Sequence, residues 1–428
     1  MSDRSAPPFR ADHVGSSVRT TETEVPVPEP DLTGAEIIAR AEALKPRLRA
    51  EQDEAERLGH YTEGLHQEFL RAGFYRMLQP RRFGGYEFDL PTFWKAMVKI
   101  AEGDPGSGWC LTLGSHHALV VGSQLPERAQ REIFGPEGDF RGPHRPLPMG
   151  TAEPADGGFI VSGTWDYCSG APFATHFMGN VIVSGTEPSP AKPPPVVVIP
   201  RAQFTVLDDW GGGAQLGMQA SGSNSVRVEK VFVPEHLMFD GDWTGGPAPT
   251  PGTELHGNPM YLGLVYGIYH AGLVVTVVGA ARAALEEFDE SIRSKKTAFP
   301  PQVMRYEHHD YQRVWGLARA LTDSGEALLY QAGEMYMEHC HRWASKGVPF
   351  TKEDDIRLFG ILQQAGRLSS EAVELLFQTI GSSAARRGQR MQRYFRDVAM
   401  YRGHIAAQYL NWASGFARVH FGLADRVL

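Results

Sequence analysis

The sequence predicts an α+β protein built in three blocks: helical, then strand-rich, then helical again. Three observations predict it. From residue 34 to about residue 134, apolar residues recur at helical spacing between short breaks. Between Met149 and His236 come the runs FIVSGTW, FMGNVIVSG, PVVVIPRAQFTVL and SVRVEKVFVP, rich in Val, Ile and aromatics and separated by Gly, Pro and Asp turns. After Gly257 the helical spacing returns and holds to about Phe421. With 428 residues the chain is longer than one core usually serves, so several cores are expected.

Thr33 and Glu36 read as a capping box, which starts the first helix close to residue 34. Residues 1–33, rich in Pro, Ser, Thr and charge and without an apolar leader core, read as a disordered tail. In the N-terminal helical domain, residues 34–147, TEGLHQEFLRAGF closes at a Gly, PRRFGGYEFDL is a loop, and PTFWKAMVKIAEGD opens with Pro in its first turn. A β domain follows over residues 148–240, and residues 241–257 have linker composition. The last block, residues 258–428, holds an apolar helix over 260–290, two long helices, and a final helix from about Met391 to Phe421. Its short loops predict antiparallel neighbours.

Composition excludes several classes of function. The formal charge of −8 gives no attraction to nucleic acid. The run Met260 to Ala281 contains no Asp, Glu, Lys or Arg, but Gly263, Gly267, His270, Gly272 and Gly279 interrupt it, so a buried core helix is read in place of a membrane span. Cys110, Cys168 and Cys340 lie too far apart for a disulfide framework or a metal knuckle, which suits a reducing cytoplasm. The chain carries no GxGxxG after a strand, no GxxxxGK[ST] and no GxSxG. Neighbouring helical residues point about 100° apart, so His308, His309 and Asp310, and again His339 and His341, read as surface groups and no metal site is expected.

Five segments, taken in order, resemble the acyl-CoA dehydrogenase superfamily, and within it the flavin-dependent monooxygenases that take reduced flavin from a separate reductase. They are FLRAGFYRMLQPRRFGGYEFD, DPGSGWCLTLGSHHALV, GGFIVSGTWDYCSGAPFATHFMGNVIV, LGMQASGSNSVRVEKVFVPEHLM and IGSSAARRGQRMQRYFRDVAMYRGH. The resemblance covers residues 35 to 428. It implies an N-terminal helical domain, a central β-barrel-like domain and a C-terminal four-helix bundle, with FMN or FAD between the β domain and the bundle. It also implies a homotetramer formed through the bundle, with a neighbouring subunit helping to hold the flavin.

A dehydrogenase of this scaffold needs a carboxylate to remove the α-proton of a thioester. The position where the superfamily commonly keeps that glutamate falls at about Ile405. After Asp397 the sequence has no acid until Asp425, and residues 255–285 have none either. The resemblance therefore implies an oxygenase working through a flavin C4a-(hydro)peroxide with O₂ as co-substrate, and an aromatic or phenolic small molecule as substrate. Dehydrogenation, and N- or S-oxygenation of a natural product or amino sugar, are the alternatives.

By the same resemblance His117 or its neighbour His116 matches a histidine on the helix after a Gly-Trp pair, and His404 matches one seven residues after Arg-Asp. A base that deprotonates a phenol raises the ring's nucleophilicity, and histidine titrates in the range required. Seven residues are two helical turns, so Asp397 and His404 are expected on one helical face, with Asp397 free to pair Arg393 or Arg396. Ser169 matches a serine near the flavin, Trp109 and Trp165 match residues at its ring, and Gly381, Ser382 and Ser383 open a loop that meets the cofactor. Ser221, Ser223 and Asn224 lie in a turn near flavin and substrate, and Arg386 and Arg387 suit a phosphate or an acidic substrate.

Overall fold

The structure is a computed structural model that describes residues 25–187, 193–240 and 249–423. Seven helices make the first block: α1 (Gly34–Ala50), α2 (Gln52–Leu58), α3 (Glu63–Ala72), α4 (Leu90–Gly103), α5 (Pro105–His116), α6 (Ala118–Gln124) and α7 (Glu127–Phe134). Thr33 caps α1 in a capping box with Glu36. Ordered contacts begin before it: Leu32 is buried and Glu29 binds Arg40 through both carboxylate oxygens. Residues 25–33 are therefore not a tail, and residues 1–24 lie outside the described residues.

Strands β1 (His144–Ala155), β2 (Gly158–Trp165), β3 (His176–Val183), β4 (Val196–Pro200), β5 (Thr205–Val206), β6 (Val226–Pro234) and β7 (Met238–Phe239) form one sheet in the order β5-β6-β2-β1-β3-β4-β7. All its pairs are antiparallel except β1 with β3. β1 starts at His144, inside the stretch expected to be helical, because His144 and Arg145 already pair with Met178 and Gly179. Thr250 caps a short helix, α8 (Pro251–His256), inside the expected linker; residues 241–248 lie outside the described residues.

The third block contains α9 (Tyr266–Tyr269), α10 (Ala271–Ser294), α11 (His309–Lys346), α12 (Lys352–Ile380), α13 (Arg390–Gly403) and α14 (Tyr409–His420). α10 packs on α4, α5, α11, α12 and α13, which makes it the axis of the molecule. The stretch Tyr266–Ser294 is long and apolar enough to cross a membrane, but 83% of its apolar window is buried inside the protein. Among the described residues no cluster of His, Cys, Asp and Glu could hold a metal ion, and the three cysteines are free and buried.

Two expected helices are broken, and both breaks matter to the site. The apolar helix expected over 260–290 divides into a 3-10 turn (Pro259–Leu262), α9 and α10, with His270 between the last two. Gly267 lies against the backbone of Asp355 on α12, where a Cβ has no room, so the turn is held on the bundle. The final helix stops at Gly403. His404 is extended at φ −72°, ψ 145°, and its ring nitrogen caps the next turn by accepting from the Ala406 N–H at 3.0 Å. Asp397 and His404 consequently do not share a helical face, contrary to the spacing argument.

Candidate active site

The three blocks meet at a seam lined by the end of α5, the loop 165–170, the loop 217–225, the start of β1, the α9–α10 break and the end of α13. A chain of hydroxyls runs through it. Trp109 Nε1 donates to Ser169 Oγ at 2.9 Å, Ser169 Oγ lies 2.7 Å from Ser223 Oγ, and Ser223 Oγ lies 2.6 Å from Ser221 Oγ. Ser169, Ser221 and Ser223 are buried, and His404 meets Trp109 edge-on with ring centroids 6.1 Å apart.

The loop carrying Ser221 and Ser223 is held by α13. Asp397 Oδ1 accepts from the Met218 N–H at 2.5 Å, and Gly217 lies against the Arg396 carbonyl with no room for a side chain. Met218 itself has φ +50°, a left-handed conformation that costs free energy in a residue with a Cβ and needs such an anchor. Burial pushes the Asp397 carboxyl up to about 8. The helical pair of Asp397 with Arg393 does not form: Arg393 donates to Glu56, Gln52 and Asp53, and Arg396 to Glu56 and the Leu216 carbonyl. The Arg-Asp motif thus ties α13 to α2 and to the serine loop.

Backbone partners fix the protons of the two expected histidines in opposite senses. His117 Nδ1 lies 2.7 Å from the Gly142 carbonyl, which can only accept, so Nδ1 carries the hydrogen and Nε2 is left as a base. His404 Nδ1 accepts a backbone N–H, so its Nε2 carries the hydrogen and donates. Burial pushes both rings down to about 4, and both are neutral at pH 7. His116 is buried as well, but stacks on Phe93 on the other side of His117.

Residues that sequence reasoning missed complete the wall beside His117. His144 meets the His117 ring at 5.5 Å and Tyr269 at 5.7 Å. The proton order of this wall follows from its far end. Asn180 donates from Nδ2 to the Pro194 carbonyl at 2.8 Å, which turns its Oδ1 to His144 Nε2 at 2.9 Å; His144 Nε2 therefore donates, and His144 Nδ1 accepts the Tyr269 hydroxyl at 2.7 Å. Arg145 pairs with Asp166 at 2.8 Å and lies over the exposed ring of Tyr167, whose φ of +53° is another strained backbone.

Tyr269 and His270 are positioned from the bundle. Asp355 Oδ1, buried on α12, accepts from the Gly267 N–H at 2.9 Å, and burial pushes its carboxyl up to about 8. The sign follows from linkage. A carboxyl raised above its ordinary value in the folded chain favours folding below about pH 4, and that contribution is lost as pH rises through about 8. Asp355→Asn keeps an acceptor for Gly267 without the charge, so its melting temperature is expected to fall less than wild type between pH 6 and 9. Asp355→Ala leaves the N–H buried and unmet and is expected to cost about 1–3 kcal/mol in denaturant titration.

Other expected residues are engaged in the fold or stand elsewhere. Trp165 is fully buried in the β domain against Gly150, Gly163 and Phe177, with its Nε1 on the Asn180 carbonyl, so it is a core tryptophan and cannot touch a ligand ring. Asn224 spends its amide on the Leu207 carbonyl and braces the loop. Gly381, Ser382, Ser383, Arg386 and Arg387 are exposed at the start of α13, whereas His404 follows its end; fourteen residues of helix separate the two sets by about 21 Å. Within one chain they do not form a single site.

A reduced flavin needs apolar walls, a few hydrogen-bonding groups and no opposed buried carboxylate. The seam meets these demands: Trp109 and Met218 supply buried apolar surface, Ser169 a buried hydroxyl and His404 an N–H. Asp166, Asp355 and Asp397 are engaged by Arg145, Gly267 and Met218. Ile405, at the expected glutamate position, is 58% exposed and carries no acid.

Residues 271–409 match the family pattern "Acyl-CoA dehydrogenase, C-terminal domain". The chain is 29% identical over 379 residues to the flavin-dependent monooxygenase oxygenase subunit HsaA of Rhodococcus jostii, covering 86% of this chain and 93% of that one. It is 24% identical over 400 residues to the oxygenase component of p-hydroxyphenylacetate 3-hydroxylase of Acinetobacter baumannii, covering 89% and 87%. The crystal structure of 3-HSA hydroxylase from Rhodococcus sp. RHA1 superposes with a TM-score of 0.82 at 25% identity, over 92% of this chain and 99% of that one. The order of the three blocks agrees with these alignments: residues 271–409 carry the acyl-CoA dehydrogenase C-terminal domain, and the chain is similar over most of its length to oxygenase components of flavin-dependent monooxygenases.

Proposed function

We propose that this protein hydroxylates a phenolic small molecule with O₂ and FMNH₂ or FADH₂ delivered by a separate flavin reductase. The opposed proton states of His117 and His404 carry this reading: one neutral imidazole can only accept at the seam and the other can only donate. The reduced flavin, when bound, supplies two electrons to O₂ and passes one oxygen atom to the substrate.

The chain's own groups do the rest. Because burial lowers the His117 ring to about 4, below the range expected of it, Nε2 accepts the phenol's hydrogen bond and takes its proton only as the ring is attacked, with the Gly142 carbonyl on Nδ1–H steadying the imidazolium that forms. His404 Nε2–H donates to the reacting oxygen, and its own backbone bond to Ala406 keeps that proton in place. Ser169, ordered by Trp109 and Ser223, offers its hydroxyl to the flavin ring. The buried aromatic surroundings exclude water. Ser169→Ala is expected to weaken binding of oxidised flavin about tenfold, the loss of one hydrogen bond to a polar ring, read by flavin fluorescence titration.

The exposed Gly381–Ser383 turn and Arg386 suit the flavin phosphate of a neighbouring copy in a homotetramer. Leu410 at 86% exposure and Phe421 at 70%, on and after α14, supply apolar surface for such assembly. Free buried cysteines suit a soluble, cytoplasmic protein. The deciding experiment supplies chemically reduced flavin, a phenol and ¹⁸O₂. Incorporation of one labelled oxygen into the ring is the expected result. A tightly held oxidised FAD that an acyl-CoA bleaches would overturn the reading.

A further inference from the structure

Two histidines beside the working pair have no assigned task. His116 is 3% exposed and ends α5; His270 is half-buried and stands at the start of α10. Nδ1 of each is shut off from solvent and has no hydrogen-bond partner among the described residues. An imidazole nitrogen buried without a partner costs about 1–3 kcal/mol, so two such rings within electrostatic reach of one another call for a polar group that the fold itself does not provide. Each neighbours one of the working rings: His116 lies 5.9 Å from His117, and His270 lies 6.3 Å from His404.

Their surroundings say what kind of group fits. α10 is a helix of twenty-four residues whose first turn has neither a side-chain cap nor an acid, although the Leu273 N–H already donates to the His270 carbonyl. Gly272 in that turn carries no side chain. A Cβ built there would sit 3.8 Å from His116 Nδ1, so the nitrogen lies beside the first turn of the helix, next to Leu113 and Thr112. A neutral imidazole donates from one nitrogen, and a helix N-terminus favours lone pairs and negative charge. Both therefore select an oxygen acceptor. The surroundings are otherwise aromatic: Phe93 stacks on His116, and Phe359 and Trp412 pack around His270.

We propose that His116, His270 and the uncapped start of α10 form a second polar subsite that binds a further ring oxygen, so that the substrate class is an aromatic ring oxygenated at two positions. One oxygen is the phenol that His117 deprotonates; the other is a phenolate, quinone or ketone oxygen held at α10. The inference rests on reading the seam as the site of phenol hydroxylation.

Binding tests it apart from turnover. The protein, loaded with oxidised flavin, is titrated calorimetrically with 1-naphthol, 2-naphthol and a set of dihydroxynaphthalenes. At least one dihydroxy isomer is expected to bind about tenfold more tightly than either naphthol, the gain of one good hydrogen bond. In His270→Phe and in His116→Phe that ratio is expected to fall to about twofold or less, and in His270→Gln and His116→Gln, which keep donor and acceptor atoms, to recover in part. The subsite is overturned if no dihydroxy isomer exceeds the naphthols, or if the ratio survives in both Phe variants. Should the preferred ring bind selectively yet leave unhydroxylated when reduced flavin and O₂ are added, the subsite stands and the hydroxylase reading falls.

Discussion

His117→Ala is expected to lower hydroxylated product about 10²–10⁴-fold, the usual worth of a general base, with little effect on flavin binding. The variant still consumes reduced flavin and O₂, but the electrons emerge as hydrogen peroxide, so the ratio of product to O₂ consumed is the measurement that matters. The Nε2 atom is available as a base because the Gly142 carbonyl holds the hydrogen on Nδ1. Burial keeps the ring neutral down to about pH 4. A phenol ionises by itself near pH 10, so the variant is expected to recover product as pH rises toward that value. Unchanged coupling at pH 7 would remove His117 from the chemistry.

The second large effect is a collapse of stability in mild acid. His116, His144 and His270 are pushed down to about 3 and His117 and His404 to about 4 at the site, with His66 near 3 and His176 and His256 near 4 elsewhere, burial being the first cause in every case. The unfolded chain protonates such rings near pH 6.5. Stability from a depressed histidine is therefore complete above about pH 6.5 and is lost as pH falls toward 4. Each ring contributes a slope of up to about 1.4 kcal/mol per pH unit, so eight acting together, about 11 kcal/mol per unit at most, are comparable to the total stability of an ordinary domain. Guanidinium titrations from pH 7 to pH 5 are expected to show a steep fall in midpoint. A flat profile would mean that these rings are solvated. The raised carboxyls of Asp355 and Asp397 work in the opposite direction at higher pH, which places greatest stability near neutrality.

Much of this architecture was legible in the residues. The change of hydrophobic period from helical to alternating and back separated the blocks, and the Thr33–Glu36 capping box located α1. His117 and His404 came from resemblance, and the backbone bonds that fix their protons are long-range or lie beyond a helix end, which no spacing argument reaches. The break at His270 was hidden because its cause, the Gly267 N–H on Asp355, spans 88 residues. Asp355 itself reads as one more acid in the first turn of α12, where acids are ordinary. His144 lies in a Pro-rich stretch that carries no strand signal, and only pairing with β3 shows it to be the first residue of β1. Trp165 misled for a simple reason: a tryptophan in a matched motif is also a large apolar side chain, and here three glycines clear space for it in the sheet.

The two buried aspartates divide the site into parts that can vary separately. Asp397 anchors the serine loop beside Trp109, the proposed flavin side; Asp355 anchors the turn bearing Tyr269 and His270, the proposed substrate side. Each anchor is a side chain on a different bundle helix, gripping a single backbone N–H. Side chains on the α9–α10 turn can therefore be exchanged without loosening the serine loop. Such a layout lets one oxygen-activating seam acquire new aromatic substrates through a few substitutions between residues 266 and 272.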